Sequence, residues 1–156
     1  MANNECKFCQ FSAKDENLIF ETPFWMVWLA TEQSYVGRSI VALKRHAASL
    51  SDVTAEEVAD FGSIVKKFEA AAKKSFDATM FNWTCMMNDS FRAAIPNPHV
   101  HWHARPRYNH TVEISRTRFT DPEFGQHYNR DRMQEVPANV RKEIVAKLRS
   151  SVVEAQ

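Results

Sequence analysis

Apolar residues fall in two rhythms along this chain. In its first third they come in short β-prone runs at 17–21, 25–30 and 39–43, parted by turn formers such as Pro23 and Gly37, and these runs predict antiparallel strands. The rhythm then changes. Val58, Phe61, Val65, Phe68 and Ala72 recur at helical spacing behind Thr54 and Glu57, whose separation is that of a capping box. One amphipathic helix is predicted over 54–75. Strand-like composition returns at 80–87 and 100–104, around a loop holding Asn88, Asp89, Ser90, Pro96 and Pro98. Beyond Arg107 the pattern weakens: 111–115 is a candidate strand, and Pro137 opens a final helix over 138–152. The order strands, helix, strands predicts an α+β fold on an antiparallel sheet.

Composition narrows the classes without choosing among them. A chain of 156 residues fits one hydrophobic core, and 44% hydrophobic with 25% charged residues is ordinary for a folded globular protein. The formal net charge is +1, so no global field grips a nucleic-acid polymer, and an anionic ligand must be held locally. No apolar stretch is long enough to span a bilayer and no charged-then-apolar leader opens the chain, so a cytoplasmic protein without a membrane partner is expected. Of three cysteines, Cys6 and Cys9 form a tight pair that suggests metal or redox chemistry, whereas Cys85 in its apolar run reads as buried and inert.

The strongest chemical signal is His99-Val100-His101-Trp102-His103 followed by Ala104, Arg105, Pro106 and Arg107. In a strand, successive side chains alternate faces, so the three imidazoles point one way while Val100, Trp102 and Ala104 face the core. Three unpartnered imidazoles in a row are costly to bury, so the histidine face should line a site. Two chemistries use such a ladder. A metal-dependent hydrolase or oxygenase takes two of the histidines as ligands; a phosphotransfer site takes one as nucleophile and its neighbours to orient it and neutralise phosphoryl oxygens. Spacing alone leaves both open.

The triad with its Arg-Pro-Arg tail resembles the signature of the histidine-triad (HIT) family of nucleotide hydrolases and transferases. The resemblance runs from about Cys6 to Arg107 and includes the segment from Gly37 to His46, similar to the family's glycine, apolar strand and basic-histidine turn. It implies a HIT-like fold with a sheet of about five strands, a domain core over 1–108, a C-terminal extension over 109–156 packed on the same domain, and a homodimer. By position it implies that His101 attacks the α-phosphorus, forming a covalent nucleotidyl-histidine, that a nearby carbonyl fixes the His101 tautomer, and that His103 binds phosphate and assists the leaving group. Asn88 falls where relatives place an amide that touches phosphate. The implied substrates are dinucleoside polyphosphates, such as diadenosine tetraphosphate, or nucleoside phosphoramidates, with adenine favoured; the alternative is a nucleotide-binding module with little turnover. The pattern departs from the family in two places. Residues 91–98 lack the usual glycines and carry Pro96 and Pro98, which have no N–H to offer, leaving Ser90 and Arg92 as substitutes. The ribose-binding acid falls on Ala30, with Glu32 two places on.

The resemblance also pairs the Cys-x-x-Cys with His46 and His99, so Cys6, Cys9, His46 and His99 are expected to hold a structural Zn²⁺ that leaves His101 free. Other residues invite function more weakly. Phe24, Trp25 and Trp28 are candidates for a purine-stacking wall, though core packing is the better reading. Lys44, Arg45, Arg105 and Arg107 either steer phosphates or sit in solvated turns, and His110 and His127 read as surface histidines.

Overall fold

The computed structural model describes residues 6–154, so the outermost ends of the expected 1–108 core and 109–156 extension lie outside the described residues. Strands β1 (Leu18–Glu21), β2 (Trp25–Leu29) and β3 (Ser39–Leu43) precede helix α1 (Ala55–Phe76), and β4 (Met80–Cys85) and β5 (His101–Arg107) follow it. They build one antiparallel sheet in the order β1-β2-β3-β5-β4. A separate hairpin of β6 (Val112–Ile114) and β7 (Thr117–Phe119) and a last helix, α2 (Ala138–Val153), complete the α+β architecture.

The register gives the sheet two unlike faces, because directly paired residues project to the same side. On one side Trp25, Val27, Leu29, Val41, Leu43 and Ala104 pack with Ile64 and Phe68 of α1 and Ile144 and Leu148 of α2 in a single core. Trp102 joins this side, its indole stacked on Phe61 with ring centroids 4.7 Å apart. On the other side Ile40 pairs with His103, Ala42 with His101, Thr84 with His103 and Asn82 with Arg105. A smaller apolar cluster of Leu18, Met26, Trp28 and Ala42, covered by Phe8 and Phe11, floors that face. Helix α2 is tied to the edge of the sheet by Arg149, whose Nε donates to the Leu18 carbonyl at 2.7 Å.

Helix α1 starts as its sequence dictates: the Thr54 hydroxyl accepts from the Glu57 N–H and the Glu57 carboxylate accepts from the Thr54 N–H. Its buried stripe is rotated from the predicted one, with Val58 exposed and Ile64, Phe68, Ala71 and Ala72 buried. The first turn is claimed by polar contacts, since Glu57 turns inward to Arg45 and its carbonyl accepts from Trp25 Nε1 at 2.8 Å. Strand β4 ends at Cys85, earlier than predicted, because a 3-10 turn begins at Asn88. The candidate strand at 111–115 is the first arm of a hairpin whose turn, Ser115 and Arg116 at φ 46° and 65°, uses left-handed residues that are not glycine. No helix of the described residues is long and apolar enough to cross a membrane.

Candidate functional site

Strand β5 carries the site because alternation continues past the triad: His101, His103, Arg105 and Arg107 all project to the face away from the helices. The face opens into a cleft of about 860 Å³, within the size usual for small-molecule sites. His101 Nδ1 lies 2.8 Å from the His99 carbonyl, which only accepts, so Nδ1 carries the proton and Nε2 keeps its lone pair. Burial holds the imidazole below its ordinary pKa, the contact with the His99 carbonyl opposing it. Phe8 stacks on the ring at 4.3 Å between centroids. The His103 pKa is pushed down to about 3, first by burial and then by the Arg105 charge, and its buried Nδ1 has no partner among the described residues. The ring is therefore neutral at neutral pH.

His99 is committed elsewhere. Its Nε2 donates to the Leu43 carbonyl at 2.7 Å, which fixes the tautomer and turns the Nδ1 lone pair toward Cys6, Cys9 and His46. The four donor atoms lie within 4.8 Å of one another. A tetrahedral ion with metal–sulfur bonds of ~2.3 Å and metal–nitrogen bonds of ~2.0–2.1 Å requires edges of about 3.5 Å between unlike donors and about 3.3 Å between nitrogens. The observed edges are 3.4 Å for Cys6–His99, 3.5 Å for Cys9–His46, 3.6 Å for Cys9–His99 and 3.3 Å for His46–His99. Four of the six edges thus match a tetrahedral ion, and the donor set takes in neither His101 nor His103.

Among the other candidates, Asn88 and Ser90 line the cleft, Ser90 Oγ also accepting the Asn97 N–H at 2.9 Å. Arg92 does not line it; its exposed guanidinium sits 3.6 Å from Asp89. Glu32 lines the cleft, but its carboxylate is occupied by Arg38 and by the Ser34 N–H and hydroxyl, while Ala30 has no polar atom to offer a ribose beyond its backbone. The aromatic trio divides: Trp25 is core, Phe24 is at the surface, and Trp28 lines the cleft with its indole N–H buried and unpartnered among the described residues. Lys44 and Arg45 pair with Glu21 and Glu57, and neither lines the cleft. Neither His110 nor His127 lines the cleft. Cys85 is half-buried, and burial pushes its thiol pKa up.

Arg105 and Arg107 are not in a solvated turn. Both are buried in β5, where Arg105 donates to the Thr84 hydroxyl at 3.0 Å and Arg107 makes a two-point ion pair with Asp121 at 2.6 and 2.9 Å. Sequence reasoning missed the far wall of the cleft, formed by Arg38 and by Tyr128, Arg130 and Arg132 from the segment before α2. The available signal was parity, which puts Arg105 and Arg107 on the histidine face and so requires something to cover them. Phe8 was missed too, although it sits between two cysteines expected to clamp beside the triad.

Comparison with known proteins agrees with this geometry. A family model, the HIT domain, matches residues 12–110. The chain is similar to a nitrilase and fragile histidine triad fusion protein of Caenorhabditis elegans, 31% identical over 101 residues, which are 65% of this chain and 22% of that one. It thus spans about a fifth of that relative. Among solved structures it resembles a histidine triad nucleotide-binding protein of Sulfolobus tokodaii (TM-score 0.68, 16% identity, covering 96% of this chain and 93% of that one). It also resembles a zinc-bound histidine triad protein of Mycobacterium smegmatis (TM-score 0.57, 20% identity, 88% and 84% covered) and a diadenosine triphosphate hydrolase of Plasmodium falciparum (TM-score 0.63, 14% identity, 93% and 82% covered). At these identities the structures speak to the fold.

Proposed function

This chain belongs to the HIT family, and we propose that it cleaves nucleotides at the α-phosphate through a covalent nucleotidyl-His101. The observation that carries the reading is the His101 Nδ1–H bonded to the His99 carbonyl, which leaves the Nε2 lone pair as nucleophile in an 860 Å³ cleft. Attack forms an Nε2–Pα bond and breaks the bond from Pα to the leaving atom, which departs with the electron pair; water then attacks Pα and returns the imidazole. Asn88 and Ser90 contact phosphoryl oxygens, and His103, neutral before substrate enters, is drawn toward its charged form by the phosphate and gives a proton to the leaving group. The apolar floor at Trp28, Ile40 and Phe11 suits a nucleobase, with adenine favoured, and a dinucleoside polyphosphate is the preferred substrate over a phosphoramidate.

Cys6, Cys9, His46 and His99 would hold zinc, a choice supported by the donor set and its edge lengths. When bound, a four-ligand zinc is a closed structural clamp, here joining the N-terminal turn to the triad strand. Homodimer formation is part of the same reading, across the unpaired edge of β4.

His101→Ala should bind AMP nearly as the parent does and lose at least ~10²-fold in turnover of diadenosine tetraphosphate and adenosine 5′-phosphoramidate. A variant keeping more than about a tenth of the parent rate contradicts the covalent step. Tight AMP binding with no turnover of either substrate by the parent would select a binding module instead, the reading favoured by the glycine-free loop at 91–98.

A further inference from the structure

A buried guanidinium is ordinarily matched by a carboxylate, as Arg107 is by Asp121. Arg105, two residues earlier on the same face and only 6% exposed, has no such match. Its Nη1 donates to Thr84 Oγ1 and its guanidinium lies 4.1 Å over the Tyr128 ring, and no carboxylate pairs with it among the described residues. Two further donors in the same cleft are unspent. Arg38 gives one end to Glu32 while its Nε is buried without a partner among the described residues, and His103 Nδ1 is likewise buried and unpartnered among them. Arg130, exposed at the mouth, is in no ion pair among the described residues. Four basic or donor groups therefore converge on one cleft, where Glu32, held by Arg38, is the one carboxylate paired with any of them among the described residues.

The position of these groups relative to the nucleophile matters. Along a strand at ~3.3 Å per residue, Arg105 stands about 13 Å from His101 with His103 between them, and an arginine side chain reaches back over much of that span. The group displaced from the α-phosphorus must leave past His103, into the cations. We propose that Arg105, with Arg38 and His103 and with Tyr128 holding the guanidinium plane, forms a second anion subsite that selects substrates whose leaving group carries its own phosphate. The inference rests on the nucleotidyl-transfer reading and chooses among its substrates. When the bridging Pα–O bond breaks, the electron pair goes to the oxygen of a departing phosphate, whose charge rises by one, and Arg105 and Arg38 meet that charge. When a P–N bond breaks, the leaving nitrogen takes a proton and departs as an amine, to which two guanidinium groups offer nothing. Tyr128 comes from the segment before α2, so that segment sets leaving-group choice.

A purely structural Arg105, serving only to peg Tyr128, would affect all substrates alike. The test compares kcat/KM for diadenosine tetraphosphate and adenosine 5′-phosphoramidate in the parent, Arg105→Met and Arg130→Gln, together with calorimetric binding of inorganic tripolyphosphate, which has no nucleoside. Arg105→Met should lose ~10²-fold or more on the tetraphosphate and at least about tenfold less on the phosphoramidate, with a matching loss of tripolyphosphate binding. Arg130→Gln, at an exposed position that leaves folding intact, should shift the same ratio in the same direction by several-fold. Parallel losses on both substrates, or a parent that does not bind millimolar tripolyphosphate, overturns the subsite. A parent that binds tripolyphosphate but turns over neither nucleotide overturns the transfer reading and the selectivity built on it, while leaving the anion site standing.

Discussion

His103 is the residue whose state depends most on its surroundings. With its pKa pushed down to about 3 by burial and by Arg105, the folded protein binds fewer protons than the unfolded chain between about pH 3 and the ordinary histidine value of about 6.5. Its contribution to stability is therefore complete above about pH 6.5 and is lost as pH falls through that window. Replacing it with Asn should flatten the acid side of a melting-temperature profile between about pH 6.5 and 4.5; an unchanged slope would mean that folding does not lower the pKa of the ring. Nitrogen NMR of the histidines gives the direct reading, with His103 neutral at pH 5 in the ligand-free protein. In single turnover, Asn88→Ala and His103→Ala should each slow the chemical step by ~10²–10³-fold while AMP binding changes far less, because they meet charge that grows in the transition state. Equal losses in rate and affinity would reduce both to substrate holders. Strand parity made the shared face of the histidines and the inward face of Val100, Trp102 and Ala104 legible from sequence. The protonation of His103 was not, since it depends first on burial and then on Arg105 lying beside it without a carboxylate.

Elements position these groups through a few long-range ties. Arg107 binds Asp121 and the Glu123 and Gln126 carbonyls, fastening the segment before α2 to β5. Asp121→Ala leaves a buried guanidinium uncompensated and should cost about 3–5 kcal/mol in chemical denaturation; a loss under about 1 kcal/mol would place the pair in water. The N-terminal turn places Phe8 against His101, and the proposed zinc would fasten it through Cys6 and Cys9. Cys9→Ser or His46→Ala should remove bound zinc and lower the melting temperature, slowing turnover only through the loosened turn. Protein purified with all four donors intact and no zinc by elemental analysis would refute the clamp. The capping box and the helical period of α1 were readable, but its exact buried stripe was not, because Glu57 turns in toward Arg45. The first arm of the β6-β7 hairpin was readable at 111–115, but its second arm was not, because the left-handed turn is made by Ser115 and Arg116, neither the glycine nor the asparagine that marks such a turn.

At the scale of the molecule, the cleft is assembled from parts far apart in sequence: an N-terminal turn, the far face of the sheet, the loop after β4 and the segment before α2. The histidine face was foreseeable from strand parity and the N-terminal turn and the loop after β4 from the family resemblance, whereas the last has no periodicity and is placed by Arg107 and by the Tyr35 hydroxyl, which accepts the Asn129 N–H. If the chain pairs through β4, light scattering should give twice the chain mass. A monomeric parent would rule out that edge. The central claim is that His101 becomes covalently nucleotidylated. Rapid acid-free quenching of the protein with diadenosine tetraphosphate, followed by peptide mass spectrometry, should find one adenylyl group on the peptide containing His101, on Nε2 and absent from His101→Asn. Turnover at parent rate with no adduct at any quench time, or an adduct on another residue that persists in His101→Asn, would contradict the account.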